Sequence, residues 1–173
     1  MTARKQTVGP VVSAAHLADG ALPPLSEVEF ALTIVSNAFQ RWMVRGMAAA
    51  GVPGLTPIEV LILHAVNQRD REKTLADLCM MFNIEDTHIV AYALKKLEGL
   101  GLVAGGKRGK ERTAKVTPAG AETCRRYRDI REALLVDSVQ RLNVGGGELS
   151  GIAALMRALS GQYDQAARAA SSM

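Results

Sequence analysis

Five cations fall within nine residues near the middle of the chain: Lys107, Arg108, Lys110, Arg112 and Lys115, with Glu111 the sole acid among them. Their chemistry is electrostatic, the neutralisation of phosphate. Gly105, Gly106 and Gly109 are interleaved with them and allow a tight reversal, which places the cations on a hairpin. Such a hairpin can lie against a phosphate backbone, with one long side chain reaching a minor groove. A second set precedes it. Thr87, His88, Ala91, Tyr92 and Lys95 share one face of a helical stretch. They donate or accept hydrogen bonds, or are small enough to let the backbone close on a base edge. Taken alone, the first set reads as a solvated turn, and the second reads equally well as a solvated helix face or a reading face. Their succession, polar helix face and then basic hairpin, is what points to nucleic acid.

Other chemistries find little support. Gly105-Gly106-Lys107-Arg108-Gly109 lacks the P-loop pattern, and His88 beside Asp86 is explained by a helix start. No metal-ligand cluster and no nucleophile–base pair stands out, so the expectation is a protein that is not an enzyme and needs no cofactor or metal. His64 lies in an apolar helix with no second metal-type partner at i+3 or i+4, which predicts a hydrogen-bonded core or boundary histidine. Cys79 and Cys124 show no metal spacing and are expected to be buried and inert. Reduced cysteines, the absence of an apolar h-region and apolar runs too short to span a bilayer together predict a cytoplasmic protein without a membrane partner.

The elements that must hold these side chains are legible. Thr74 caps a helix with Asp77 in its first turn, and Leu75, Leu78 and Phe82 form its apolar face. Asn83 suits a left-handed turn, which Ile84 plugs. Asp86 caps the next helix, whose inner face is Val90, Leu94 and Leu97 with Ile89 and Ala93 flanking. Gly101 ends it. Leu102 to Ala104 begin a strand, Ala114 and Val116 continue its return, and Thr117-Pro118 open another helix. Helix, tight turn, helix, strand, basic hairpin, strand and helix make a winged helix-turn-helix, which places one helix in a DNA major groove.

The segment also resembles the winged-helix domain of the MarR family of bacterial transcription regulators. The resemblance rests on KKLEGLGLV (Lys95 to Val103), on Glu111-Arg112 in the wing and on Val116-Thr117-Pro118-Ala119-Gly120, and covers about a quarter of the chain. It implies a mainly α fold with a small β-hairpin wing and long flanking dimerisation helices, acting as a homodimer on double-stranded DNA. By the same resemblance Asp86 to Glu98 is the recognition helix, and Arg112 is the wing arginine that enters the minor groove. Glu111 is then its acidic neighbour, in place of the usual Asp. The acids Glu85-Asp86 at the helix start depart from the family pattern. Many members release DNA on binding a small molecule between the dimer helices and the reading head. Phe39, Trp42, Met43 and Met47, with Met80 and Met81, are able to line such a pocket, although the plainer and favoured reading of these residues is core.

The remaining chain divides around this segment. Residues 1–25, with Pro10, Pro23 and Pro24, read as an arm whose apolar residues (Val8, Val11, Val12, Leu17, Leu22, Leu25) could lie along a partner subunit. Residues 26–55 hold a long helix, with Ser26 and Glu29 as a capping box, Leu25 as a staple, and Gly51 and Pro53 as its stop. Residues 56–117 are the reading head, opened by Thr56-Pro57-Ile58-Glu59. Residues 118–173 hold a helix to about Leu142, a glycine break at Gly145 to Gly147, and a last helix from about Leu149 through Ile152, Leu155, Met156, Leu159 and Tyr163. Aromatic residues are only 4%, which disfavours a single-strand binder built on stacking platforms. The net charge of +4 is a mild lean toward an anionic partner. Two readings stand at this point: a homodimeric, sequence-specific DNA-binding regulator, or a winged helix whose basic wing meets an acidic protein.

Overall fold

The computed structural model describes residues 9–173. Residues 1–8 of the expected arm, Val8 included, lie outside the described residues. The chain forms two compact units, one up to Arg128 and one from Asp129 to Met173.

The first unit contains α1 (Pro23–Ala49), α2 (Pro57–Asn67), β1 (Lys73–Thr74), α3 (Leu75–Phe82), α4 (Thr87–Gly99), β2 (Val103–Arg108), β3 (Glu111–Val116) and most of α5 (Pro118–Arg131). The strands form one antiparallel sheet in the order β1-β3-β2. α2 is the hub, packed against α1, α4 and β3. Its start is the expected one: the Glu59 N–H donates to the Thr56 hydroxyl, the Thr56 N–H donates to the Glu59 carboxylate at 2.7 Å, and Pro57 follows the cap. The helix then runs apolar on most sides, which is what a helix enclosed by neighbours requires. Val60, Ile62 and Leu63 are fully enclosed, as are Met47, Leu78, Val90, Leu97 and Ala114. Each leucine or isoleucine sealed there contributes about 2–3 kcal/mol.

α1 begins three residues before the expected Ser26 cap. Pro23 and Pro24 occupy its first turn, where the missing N–H costs nothing. Ser26 is therefore inside the helix, and its hydroxyl donates to the Leu17 carbonyl at 2.6 Å instead of capping. With the Val11 N–H on the Glu27 carboxylate at 2.8 Å, this fastens residues 11–17 to the start of α1.

His64, on α2, is half-buried, but its Nε2 has no hydrogen-bond partner, contrary to expectation. The ring packs on Tyr127, centroid to centroid 4.7 Å, and the Trp42 ring lies 6.2 Å from the same tyrosine. Gly46 makes room for that tyrosine, since a Cβ there would lie 2.8 Å from the ring. Burial lowers the histidine pKa from its ordinary 6.5. Below that value the unfolded chain takes up a proton that the folded chain refuses, so stability falls as the pH drops toward the folded pKa. The melting temperature is therefore expected to decline between about pH 7.5 and 5.5, and His64→Phe to flatten that decline. Thermal melts across the range check it. An unchanged slope in the variant would remove His64 as the cause.

In the second unit the helical path passes through an unexpected π turn at Glu132–Val136 before α6 (Asp137–Gln140) and α7 (Gly146–Ala170). α7 starts earlier than Leu149 because Glu148 reaches back to accept the Gly145 N–H at 2.7 Å. Gly146 and Gly147 thus open the helix, in a first turn where the N–H groups have no partner within the helix. No residue of α7 is buried, and Leu149, Ile152 and Leu155 stay 44–55% exposed.

Candidate nucleic-acid interface

The helix pair is set by local bonds. At the start of α3 the Asp77 N–H donates to the Thr74 hydroxyl (3.0 Å), and the Thr74 N–H donates to the Asp77 carboxylate (2.9 Å). That backbone bond holds the Asp77 carboxyl below the usual range, against a smaller opposing effect of burial. Asn83 takes the left-handed conformation (φ 53°, ψ 47°) that turns the chain. Asp86 then caps α4 by accepting the His88 N–H at 2.9 Å. α4 buries Val90, Ala93, Leu94 and Leu97. Ala93 belongs to the core, whereas Ile89 is 45% exposed. On the outer face Thr87, His88, Tyr92 and Lys95 are exposed and Ala91 is half-buried.

One contact that periodicity does not disclose locks this helix in place. The Lys96 ammonium donates to the Glu59 carboxylate at 2.8 Å and to the Gly54 carbonyl at 2.7 Å. Burial pushes the Glu59 carboxyl up, but its bonds to Lys96 and Thr56 outweigh this and lower it. The pair joins the first turn of α2 to the last turns of α4.

In the wing, β2 and β3 pair from Val103↔Val116 out to Arg108↔Glu111. The reversal is only Gly109-Lys110, with Gly109 at φ +65°. Gly105 and Gly106 lie within β2 and are not part of the turn. They serve close approach: a Cβ on Gly105 would lie 2.7 Å from the Glu98 carboxylate, and one on Gly106 2.8 Å from the Thr113 hydroxyl. β1 completes the sheet by pairing with β3. Lys73 is buried there and donates to the Gln68 carbonyl at 2.8 Å, bracing a turn in which Arg69 sits at φ 64°. Burial lowers the pKa of that amine.

The cations divide into two groups. At the tip Arg108 makes a 3.5 Å pair with Glu111, and no ion pair among the described residues holds Lys107 or Lys110. Arg112, one step down, is engaged differently: its guanidinium donates to Glu98 on α4 at 2.6 Å, and not to Glu111.

Residues 55–120, which include the α3–α4 pair and the whole wing, match the family model of a winged helix DNA-binding domain. This segment is a winged helix domain. The wider chain shares the fold of the MarR-family regulators. AbfR of Staphylococcus epidermidis superposes with a TM-score of 0.66 at 14% identity, covering 83% of this chain and 94% of that one. A cysteine-to-serine mutant of MarR from E. coli, complexed with operator DNA, gives 0.60 at 14% identity over 82% and 99%. BldR from Sulfolobus solfataricus gives 0.60 at 15% identity over 82% and 98%. No curated protein sequence matches the chain.

The apolar residues considered for an effector are dispersed around the winged helix domain. Phe39 and Met43 border a groove of about 410 Å³ with Pro57, Ile58 and Leu61. Met47 is sealed in the core, Trp42 faces Tyr127, and Met80 and Met81 are exposed on α3. Cys79 and Cys124 are buried, and burial pushes the Cys124 thiol up to about 11, which leaves little thiolate to react. Among the described residues no helix is long and apolar enough to cross a membrane.

Proposed function

We propose that this chain is a transcription regulator that binds duplex DNA as a homodimer, with α4 in the major groove and the wing at the adjacent minor groove. The observation that carries the reading is the outer surface of the winged helix domain. A helix face of Thr87, His88, Ala91, Tyr92 and Lys95, mostly exposed, is followed in the same winged helix domain by an exposed hairpin tip bearing Lys107, Arg108 and Lys110. On this reading the first four side chains would meet base edges, and the cations phosphates. MarR of E. coli, which shares the fold, is known complexed with operator DNA.

A second copy is the natural cover for two apolar surfaces. On α7, Leu149, Ile152, Met156, Leu159 and Tyr163 recur at alternating steps of three and four, the spacing of a helix–helix seam. On α1, Leu32, Ile34, Val35 and Phe39 are 38–55% exposed. A two-fold pair would present two recognition helices to successive major grooves, about 34–36 Å apart. The groove beside Phe39 and Met43 is where an apolar effector would act.

Fluorescence anisotropy with random and selected duplexes tests the reading. Neutralising six phosphates would weaken binding roughly a thousandfold between about 50 and 200 mM salt. A selected site that binds more tightly than random duplex would establish sequence reading. A flat salt response, or no binding at low salt, would turn the assignment to an acidic protein partner for the wing.

A further inference from the structure

The wing is tied to the recognition helix by one ion pair with an unusual setting. Glu98 occupies the last turn of α4. Its Oε2 accepts from Arg112 at 2.6 Å, while its Oε1 is buried and has no hydrogen-bond partner. The carboxylate fits under β2 because position 105 is glycine; any side chain would meet Oε1. Arg112 and Gly105 share one face of the hairpin, since Gly105 pairs with Ala114 and Lys107 with Arg112. Glu98 thus engages both strands of the ribbon from one face, by space on β2 and by charge on β3.

This arrangement bears on which cations touch DNA. Glu98 is 24% exposed, and releasing Arg112 would leave a largely enclosed carboxylate with neither oxygen paired. Arg112 itself is half exposed, but parting it from Glu98 costs more than turning a tip lysine, which is solvated and in no ion pair among the described residues.

We infer that Glu98 and Arg112 are positioning residues, which clamp the wing to α4 so that the tip cations Lys107, Arg108 and Lys110 meet the DNA. The inference rests on the DNA-binding reading above and departs from the resemblance, which sends Arg112 into the minor groove. A residue that contacts phosphate and one that only aims the wing differ in a measurable way. Losing the first removes about one released counterion from the salt dependence, whereas losing the second lowers affinity and leaves that dependence in place.

The test measures duplex affinity against salt for wild type, Glu98→Gln, Arg112→Ala, the double variant and Gly105→Ala. The last keeps every charge and only displaces the flexible end of Glu98. Each single variant is expected to weaken binding about tenfold with the salt slope unchanged, the scale of one charge-assisted hydrogen bond. The double variant is expected to be no weaker than either single one, because the two side chains act as a unit. Tighter binding by Glu98→Gln together with a shallower slope for Arg112→Ala would overturn the inference and make Arg112 a DNA contact restrained by Glu98. Wild type that fails to bind at low salt would instead remove the underlying function. Circular dichroism of each variant separates a misaimed wing from an unfolded domain, and Gly105→Ala, with both charges present, decides the matter if either charge variant does not fold.

Discussion

Replacing Lys107, Arg108 and Lys110 together by alanine is expected to lower duplex affinity by about two to three orders of magnitude at ~0.1 M salt. The same change should reduce the slope of log affinity against log salt by about 2.7, since each neutralised phosphate contributes about 0.9. The geometry makes the effect nearly pure. All three side chains are exposed at or beside the Gly109-Lys110 reversal, so their removal opens no cavity and breaks only the weak Arg108–Glu111 pair. The loss should be uniform across sequences, because phosphate contacts carry no base information. Substitutions at Thr87 or His88 should do the opposite, changing preference among sequences more than the salt slope. A triple variant that keeps the wild-type slope would show that the wing tip does not face DNA.

The largest effect on stability is expected at Gly120, where Gly120→Ala should cost about 3 kcal/mol and lower the melting temperature by roughly 10 °C. A Cβ there would run into the backbone carbonyl of Leu102 and come within 3.0 Å of Val116 Cγ2. Neither can yield. The Leu102 carbonyl accepts the Thr117 N–H at 3.1 Å, and the Thr117 hydroxyl donates to Gly101 at 2.7 Å while accepting the Gly120 N–H at 3.0 Å. The first turn of α5 is therefore pressed onto the base of the wing, and a methyl group must pry them apart. Gly99→Ala is the internal control: nothing lies within 4 Å of the added carbon, so the variant should melt at or slightly above the wild-type temperature. Circular dichroism melts of both decide the point. A Gly120→Ala protein within about 2 °C of wild type would refute the close packing.

By itself the sequence determined whatever depends on neighbours within a turn or two. Thr74 with Asp77, Asp86 before α4, Thr56 with Glu59 and the left-handed Asn83 each place a donor beside an acceptor a few residues away, so the reading helices and the turn between them are legible as written. The alternation of buried and exposed positions likewise separates the inner face of α4 from the outer one. Where two local signals competed, the tertiary structure decided: Ser26 could have capped α1, but Pro23 and Pro24 opened it first, and a carbonyl of the arm took the hydroxyl. Only the tertiary structure could show that Lys96 serves Glu59, that Arg112 serves Glu98, that Gly105 exists for a carboxylate and Gly120 for a carbonyl. These partners lie between 7 and 37 residues apart in the chain, so no periodicity or capping rule marks them. A charged side chain on a solvated face and one bound across an interface look the same until the fold brings its partner within reach.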